Sequence, residues 1–295
     1  MSEPTYTTYK YLRVTRDLPC QICGKDGWCL ISRFGDRAAC CRVKSSQPAP
    51  QFDGWFHDLR PGQRHLPAVI AQKARTACAH ATKDFTDMMA SYVADFDRSS
   101  RARAADVLGL SPDVFDKYYV GFKKDSHALV FPSMQLRTPL FIGIRYRSII
   151  PGATLKWWTE RGTTACPMLP LQAPVEGEPI VVSEGPSDAL AAASIGMHAI
   201  ARWSCFLDER QSETVRDHLS QLNAPTVIVV GDNDERGTGH RGADSAAVSI
   251  LKYSPHAVVR RVQPPDGVKD LRAWVHQGAT AKDVISAARE VAHAI

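Results

Sequence analysis

Two short apolar runs that break off abruptly into acids constrain this chain more than any other feature. The first, Ile180, Val181 and Val182, ends in Ser183, Glu184 and Gly185. The second, Val227 to Val230, ends in Gly231, Asp232, Asn233 and Asp234. Unbroken β-branched runs of this length leave no solvent-facing side. They suit strands buried on both faces, as in a parallel sheet covered by helices. A helical pattern follows the first run, with Asp188 in its first turn and Leu190 and Ile195 among its apolar positions. Sheets of this kind bind ligands beyond the carboxyl ends of their strands, so Glu184, Asp232 and Asp234 are expected at one rim. A third run, Val258 to Val262, precedes Lys269 and Asp270.

Side chains two apart on an extended segment face the same way, so Asp232 and Asp234 can address one site. Like charges that close need a compensating cation. Hard oxygen ligands suit Mg²⁺ or Mn²⁺, ions that bridge phosphate oxygens during phosphoryl transfer. The plainer account makes these acids solvated helix caps and turn residues. The ordered recurrence of Glu184 with Asp188, Asp232 with Asp234, and Lys269 with Asp270 on alternating β and α patterns favours the metal site.

These three segments, over about residues 178–275, resemble the Toprim domain shared by bacterial-type primases, topoisomerases and some nucleases and recombination proteins. Its glutamate is matched by Glu184 in SEGPSDAL and its DxD by Asp232 and Asp234 in GDND. Replicative relatives carry a further acid two residues beyond the aspartate matched by Asp270. Here that position is Arg272, which leaves the number and binding mode of the catalytic metals open, with Asp188 as a possible contributor.

Five of the 8 cysteines fall in one stretch, CQICGKDGWCLISRFGDRAACC. With no apolar signal core at the N-terminus, the expected location is the cytoplasm, where clustered thiols favour metal ligation over disulfides. Cys20 and Cys23 form a CxxC knuckle, Cys29 follows, and a hairpin turning near Gly35 and Asp36 would return Cys40 or Cys41 to the metal. Four thiolates read as structural Zn²⁺, a staple that a segment this small needs. Adjacent strand residues face opposite ways, so one of Cys40 and Cys41 ligates and the other packs. Cys40 is preferred because its CxRV setting resembles zinc segments of phage and plasmid primases. His57 is an alternative ligand, or else a packed or surface histidine. In bacterial-type primases such ribbons are implicated in template reading, and Arg33, Arg37, Arg42 and Lys44 supply local positive charge for that.

Residues about 66–97 have a helix-favouring composition, with Cys78 and His80 read as packing or surface residues. SSRARAADVLGLSPDVFDKYYVGF reads as two short helices, the second capped by Ser111 before Pro112. Strand-like runs follow at Ala128 to Phe131 and Leu140 to Tyr146. Within FIGIRYRS, Arg145 and Arg147 share one face, with Ile144 and Tyr146 on the other. Phe131, Pro132, Gly143, Arg145, Arg147 and Lys156 resemble, residue by residue, a basic subdomain that precedes Toprim in bacterial-type primases. The resemblance implies contacts to template phosphates and the incoming nucleotide. Trp157 and Trp158 could stack on bases or pack in the core.

Gly237, Gly239 and Gly242 read as a permissive loop before a helix from about Ala243 to Lys252, whose first amides could hold phosphate. The last segment, AKDVISAAREVAHAI, reads as an amphipathic helix that covers a sheet edge. There is no GxxxxGK[ST] and hence no P-loop. With no run of about 18 apolar residues, no membrane span is expected. A net charge of +5 permits a nucleic-acid partner.

The expected architecture is α/β: a zinc ribbon over 1–60, a helical and basic-sheet subdomain over 61–175, and a Rossmann-like Toprim domain with a parallel sheet over 176–295. The resemblance implies a compact, stand-alone DNA primase of phage, plasmid or mobile-element type, making short RNA primers on single-stranded DNA from NTPs with a separate replicative helicase. Glu184, Asp232 and Asp234 would hold Mg²⁺ or Mn²⁺, with Asp188 and Asp270 completing or orienting the shell. Arg145, Arg147, Lys156 and Lys269 would meet nucleotide and template. Cys20, Cys23, Cys29 and Cys40 would hold Zn²⁺. The competing readings are a Toprim nuclease using the same acids and a non-catalytic nucleic-acid-binding replication adaptor.

Overall fold

The structure is a computed structural model that describes residues 11–14, 16, 18–32, 37–49, 52–59, 83–135, 140–220, 222–223 and 225–291. Arg33, Gly35, Asp36, Pro61, Gly62, Pro67, Cys78 and His80 lie outside the described residues. The chain divides into two compact units, Met1–Ala81 and Thr82–Ile295.

In the first unit, β1 (Tyr11–Arg13), β2 (Leu30–Ser32), β3 (Arg37–Cys40), β4 (Pro48–Ala49) and β5 (Gly54–Asp58) form an antiparallel sheet in the order β1-β2-β3-β5-β4. Its principal core joins Val14, Leu18, Ile31, Ala38 and Leu59 to three cysteines, Cys20, Cys29 and Cys40. Thiols therefore stand where a larger domain would place aliphatic side chains.

The second unit opens with α1 (Thr86–Ala94) and α2 (Arg98–Leu108). Asp97 caps α2 by accepting the Ser100 N–H at 2.8 Å, and Gly109 ends it in the left-handed region at φ 68°. Pro112–Tyr118 is a 3-10 helix rather than an α-helix, and the Ser111 side chain makes no capping bond, so Pro112 alone sets its start. A four-stranded antiparallel sheet follows, β6 (Gly121–Lys123), β7 (Ala128–Gln135), β8 (Leu140–Ser148) and β9 (Trp157–Thr159), ordered as numbered.

The remainder alternates strictly: β10 (Ile180–Ser183), α3 (Pro186–Ser194), β11 (His198–Ala201), α4 (Glu209–Leu219), β12 (Thr226–Val230), α5 (Thr238–Tyr253) and β13 (Val258–Val262), then α6 (Leu271–His276), α7 (Ala281–Ala287) and β14 (Arg289–Glu290). The sheet order is β11-β10-β12-β13-β14, parallel through the first four. Both faces are covered. Val181, Ile228 and Val230 pack with Leu190 of α3 and with Leu108, Phe115 and Phe131 of the preceding segments. Ile180, Val182, Val227 and Val229 pack with Val215, Leu219, Ala243, Ala247 and Ile250. The unbroken apolar runs are thus explained, and the α/β class with its parallel sheet is the observed one.

Two expectations are corrected. The final segment is not one long helix. It stops at Ala287, Ala288 turns extended (φ −69°, ψ 133°), and β14 pairs antiparallel with β13. The sheet edge is covered, but by a strand, because the free peptide groups of β13 offer hydrogen bonds that a helix cannot take up. The glycine-rich segment is likewise no loop, since α5 begins at Thr238 and runs through Gly239 and Gly242. A Cβ on Gly239 would lie 2.4 Å from the Asp232 carbonyl oxygen, and one on Gly242 would lie 2.6 Å from that of Cys205. These glycines permit close approach of backbones rather than flexibility.

His198 of β11 and His218 of α4 stack at 5.0 Å with their Nε2 atoms 2.7 Å apart. Burial lowers both to about 4, the neighbouring His198 adding to the effect at His218. A histidine with a depressed folded value contributes stability above its unfolded value of about 6.5 and loses it as pH falls toward about 4. We expect His218→Gln to flatten the acid limb of the stability curve by roughly 2–4 kcal/mol between pH 7 and pH 4. Urea denaturation of both proteins across that range checks this, and equal slopes would refute it.

Candidate metal centres and active site

The first unit gathers sulfur. The Sγ atoms of Cys20, Cys23, Cys29 and Cys40 all lie within 4.8 Å of one another. Cys23 to Cys29 and Cys29 to Cys40 are each 3.7 Å. A tetrahedron with metal–sulfur bonds of about 2.3 Å has edges of ~3.8 Å, so the spacing fits one tetrahedral ion. The CxxC turn is closed by Gly24 N–H donating to the Cys20 carbonyl at 2.8 Å, with Gly24 at φ 68°. The N–H groups of Arg42 and Val43 donate to Cys40 Sγ at 3.4 and 3.3 Å, and Arg42 Nη1 donates to Cys29 Sγ at 3.4 Å.

Burial raises the Cys20 and Cys29 thiols above their ordinary value. At Cys23 burial acts the same way but is outweighed by the Lys25 amide and the Arg42 guanidinium, which bring it down to about 7. A bound cation would reverse the burial effect at Cys20, Cys23 and Cys29. Cys41 is half-buried, with Sγ 3.7 Å from Cys29, and stands outside the group of four. His57 turns away, its Nε2 lying 3.0 Å from the Val43 carbonyl oxygen.

The second unit gathers carboxylates at the carboxyl ends of β10 and β12. Glu184 is largely buried and raised above the usual carboxylate range by that burial, with Arg202 and Arg145 opposing and Asp234 adding to it. Its Oε2 is buried and accepts no hydrogen bond. Asp232 is raised to about 8 by burial, then by Asp188, Glu184 and Asp270, with Arg202 opposing. Asp188, 6% exposed, is raised to about 7 by burial and by Asp270. Asp232 thus senses the charge of Asp188, Glu184 and Asp270.

Asp234 differs. It lies at the exposed end of the cluster, and its two oxygens accept the N–H groups of Arg236 and Thr238, each at 3.0 Å, and of Gly239. These bonds outweigh burial and hold it below the usual carboxylate range. They also occupy the amides at the start of α5 that the sequence offered to a phosphate. Asp270 caps α6, its Oδ1 accepting the Ala273 N–H at 2.7 Å.

Two of the expected cations, Arg145 and Arg147, are not on a solvated face. Arg147 is 5% exposed, and burial, then Arg272, lowers it to about 10, with Asp188 and Asp270 opposing. Its Nε and Nη1 are buried without a hydrogen-bond partner. Arg145 donates from Nη1 to the Trp203 carbonyl at 2.9 Å and packs on the Trp157 ring at 4.5 Å. Trp158 instead stacks on Tyr146 at 5.3 Å. Lys156 is exposed and lowered by burial, then by Arg147, Lys269 and Arg272. Lys269 is exposed, and its carbonyl accepts the Asn233 N–H at 2.7 Å.

Sequence reasoning missed two residues that build this site. Arg202, 1% exposed, donates from Nε to the Ser183 carbonyl at 3.2 Å, from Nη2 to Val230 at 3.0 Å, and from Nη1 to Gly242 at 3.1 Å and to Cys205. It ties the ends of β10 and β12 to α5. A lone arginine directly after the apolar run HAIA was its signal. Asn233, the residue between the two acids, donates from Nδ2 to the Pro264 and Val268 carbonyls, each at 2.8 Å. It pins the loop carrying Lys269 and Asp270 to the end of β12.

No family model matches this chain, and no curated protein matches it. Solved structures do. The chain is similar to the DnaG primase catalytic domain bound to ssDNA, with 18% identity over 70% of this chain and 78% of that one and a TM-score of 0.53. It is similar to the zinc-binding and RNA polymerase domains of the Aquifex aeolicus primase, with 14% identity over 97% of this chain and 81% of that one and a TM-score of 0.51. The chain has a primase fold. At these identities the likeness is one of fold, and within that primase fold the acids, cations and thiols above are this chain's own. Among the described residues no helix is long and apolar enough to cross a membrane.

Replacing Arg202 by methionine removes its bonds to the Ser183, Val230, Gly242 and Cys205 carbonyls and takes a counter-charge from Glu184 and Asp232. We expect a loss of about 3–5 kcal/mol, read as a lower midpoint in urea. A loss below about 1 kcal/mol would show that the guanidinium is dispensable.

Proposed function

We propose that this chain is a DNA primase that joins ribonucleotides on a single-stranded DNA template by metal-dependent nucleotidyl transfer. The observation that carries this reading is the convergence of Glu184, Asp188, Asp232 and Asp270 at the strand ends of a primase fold, with Glu184 Oε2 buried and unbonded. A raised carboxyl with an unpartnered buried oxygen, as at Glu184, is what a divalent cation would deprotonate and bind, and an all-oxygen donor set suits Mg²⁺ or Mn²⁺. Glu184, Asp232 and Asp234 are read as the ligands. Asp234 retains lone pairs beside its capping bonds, and those bonds hold its carboxylate still. The ion, when bound, neutralises phosphate charge and brings the reacting oxygens together.

Asp188 and Asp270 orient the surrounding shell, Asp188 by accepting the Arg272 N–H at 3.1 Å. Arg145, Arg147, Lys156 and Lys269 neutralise phosphates of nucleotide and template. Catalysis of this kind rests on position and charge rather than on a covalent intermediate. The segment around β10 to α6 is read as a Toprim domain over 176–295, preceded by a helical and basic-sheet subdomain over 61–175 and a zinc ribbon over 1–60. Cys20, Cys23, Cys29 and Cys40 are read as Zn²⁺ ligands, the sulfur spacing and the all-thiol set being the support. A phage, plasmid or mobile-element setting, in the cytoplasm and with a replicative helicase as partner, is part of the same reading.

Incubation with single-stranded DNA, labelled NTPs and Mg²⁺ or Mn²⁺ separates this reading from a nuclease. We expect labelled oligoribonucleotides; cut DNA without them would select the nuclease. Asp232→Asn should lower synthesis at least about 100-fold with DNA binding by anisotropy nearly unchanged, and undiminished product would remove the metal site. Retained biological activity in a Glu184→Gln, Asp232→Asn double variant would favour an adaptor.

Cys20→Ser and Cys23→Ser should each lose the bound metal and impair template use. Elemental analysis of the purified proteins reads this directly, and full zinc in both would defeat the ribbon.

A further inference from the structure

Charge divides the site into two unlike halves. Around Glu184 and Asp232 the nearest cations are already committed. Arg202 donates to the carbonyls of Ser183, Val230 and Gly242, and Arg145 to that of Trp203. The carboxylates on that side keep lone pairs for an ion. Around Asp188 and Asp270 the balance is reversed. Arg147 feels Arg272, Asp188 and Asp270, and Lys156 feels Arg147, Lys269, Arg272 and Asp270, so that four cations gather about Asp188 and Asp270, two acids that Asp232 also senses.

Both of those acids are also engaged. Asp188 Oδ1 accepts the N–H of Arg272, and Asp270 Oδ1 that of Ala273. Arg272 is anchored from the other side, Nη1 donating to the Leu108 carbonyl at 3.2 Å. Arg147 has no hydrogen-bonded anchor of this kind, its guanidinium lying over the Trp157 ring at 5.3 Å. Its Nε and Nη1 are buried and donate to nothing, which is costly for a charged group. A phosphate would offer several oxygens to this guanidinium and offset the surplus of positive charge around it. A second divalent cation placed here would instead meet a net positive surround.

We propose that Arg147, Lys156, Lys269 and Arg272 form a pocket that takes a phosphate group directly, with Asp188 and Asp270 orienting its cations, so that the centre holds one divalent ion, on the Glu184 and Asp232 side, and not two. This rests on the primase reading of the site and adds Arg272, the cation standing two residues after Asp270, as a phosphate-binding residue. Arg272 then supplies, as a fixed charge, part of the neutralisation that a second ion would bring.

The test uses the full chain and reads binding, not synthesis. Inorganic tripolyphosphate is titrated calorimetrically in buffer freed of divalent ions without chelator, which leaves the thiol-held metal in place. Mn²⁺ stoichiometry is read separately by electron paramagnetic resonance. We expect tripolyphosphate to bind the wild-type protein without divalent ions, about tenfold more weakly to Arg272→Gln, and near wild-type strength to Arg272→Lys. All three proteins should bind one Mn²⁺ per chain at this centre. Two Mn²⁺ ions in the wild-type protein, or equal tripolyphosphate affinity in Arg272→Gln, would overturn the proposal.

Displacement of tripolyphosphate by an NTP assigns the pocket to the nucleotide, and displacement by an oligodeoxynucleotide assigns it to the template backbone; displacement by neither overturns it. Because no polymerisation is measured, a protein that gives the expected binding yet makes no RNA sinks the primase reading alone. One that makes RNA with two ions bound sinks the pocket alone.

Discussion

A permanently charged side chain buried near three carboxyls is the constraint on which the second unit depends. Arg202 is 1% exposed, and its guanidinium reaches the carbonyls of Ser183, Val230 and Gly242. Burying a guanidinium is costly unless its donors are all engaged and a counter-charge is near. Here the donors are spent on the last peptide groups of β10 and β12 and on α5, and Glu184, Asp232 and Asp188 supply the counter-charge. The same interaction thus does two things. It fixes the spacing of the strand ends, and it makes a crowd of acids tolerable at that spacing. Its positive charge opposes the rise in the Glu184 and Asp232 values without cancelling it.

From that anchor the acid-bearing segments are laced together by backbone-directed bonds rather than by ion pairs. Asn233 takes hold of the loop before α6, Asp188 receives the amide of Arg272, and Asp234 closes the first turn of α5. Each holds a peptide group, so each fixes backbone position, which a surface ion pair does poorly. Gly239 completes the arrangement by letting α5 pass within contact of the Asp232 backbone, where any side chain would collide. The acids are therefore held by segments tied to one another through their peptide groups.

Much of this was legible in the sequence because it follows from short-range rules. Runs such as TVIVV admit few structures other than a doubly covered strand, and an acid at the end of such a strand must sit at the sheet's rim. The sulfur group was legible for the same reason, since CxxC and a returning cysteine leave little choice of geometry. What could not be read was long-range. Nothing local to Arg202 says that it passes beneath β10 and β12, and nothing in GTGHRG distinguishes a loose loop from a helix whose glycines face another backbone. The terminal segment was misread because helical periodicity in AKDVISAAREVAHAI is real, while the open hydrogen-bonding edge of β13 that captures Arg289 and Glu290 lies far away in sequence.

The chain contains two centres that solve opposite problems with opposite chemistry. The thiol group belongs to a unit whose principal core is small and in which burial favours neutral sulfur. There a cation would contribute directly to folding, because without it the cysteines are only small apolar residues. The acid cluster sits on a sheet already stabilised by apolar packing on both faces. That packing is what allows charged groups to be held where they are individually unfavourable. The unpaired donors of Arg147 and the unpaired oxygen of Glu184 are the two ends of this imbalance. One lacks an acceptor and the other a donor, and on the proposed reading a divalent ion bound together with a phosphate would satisfy both at once.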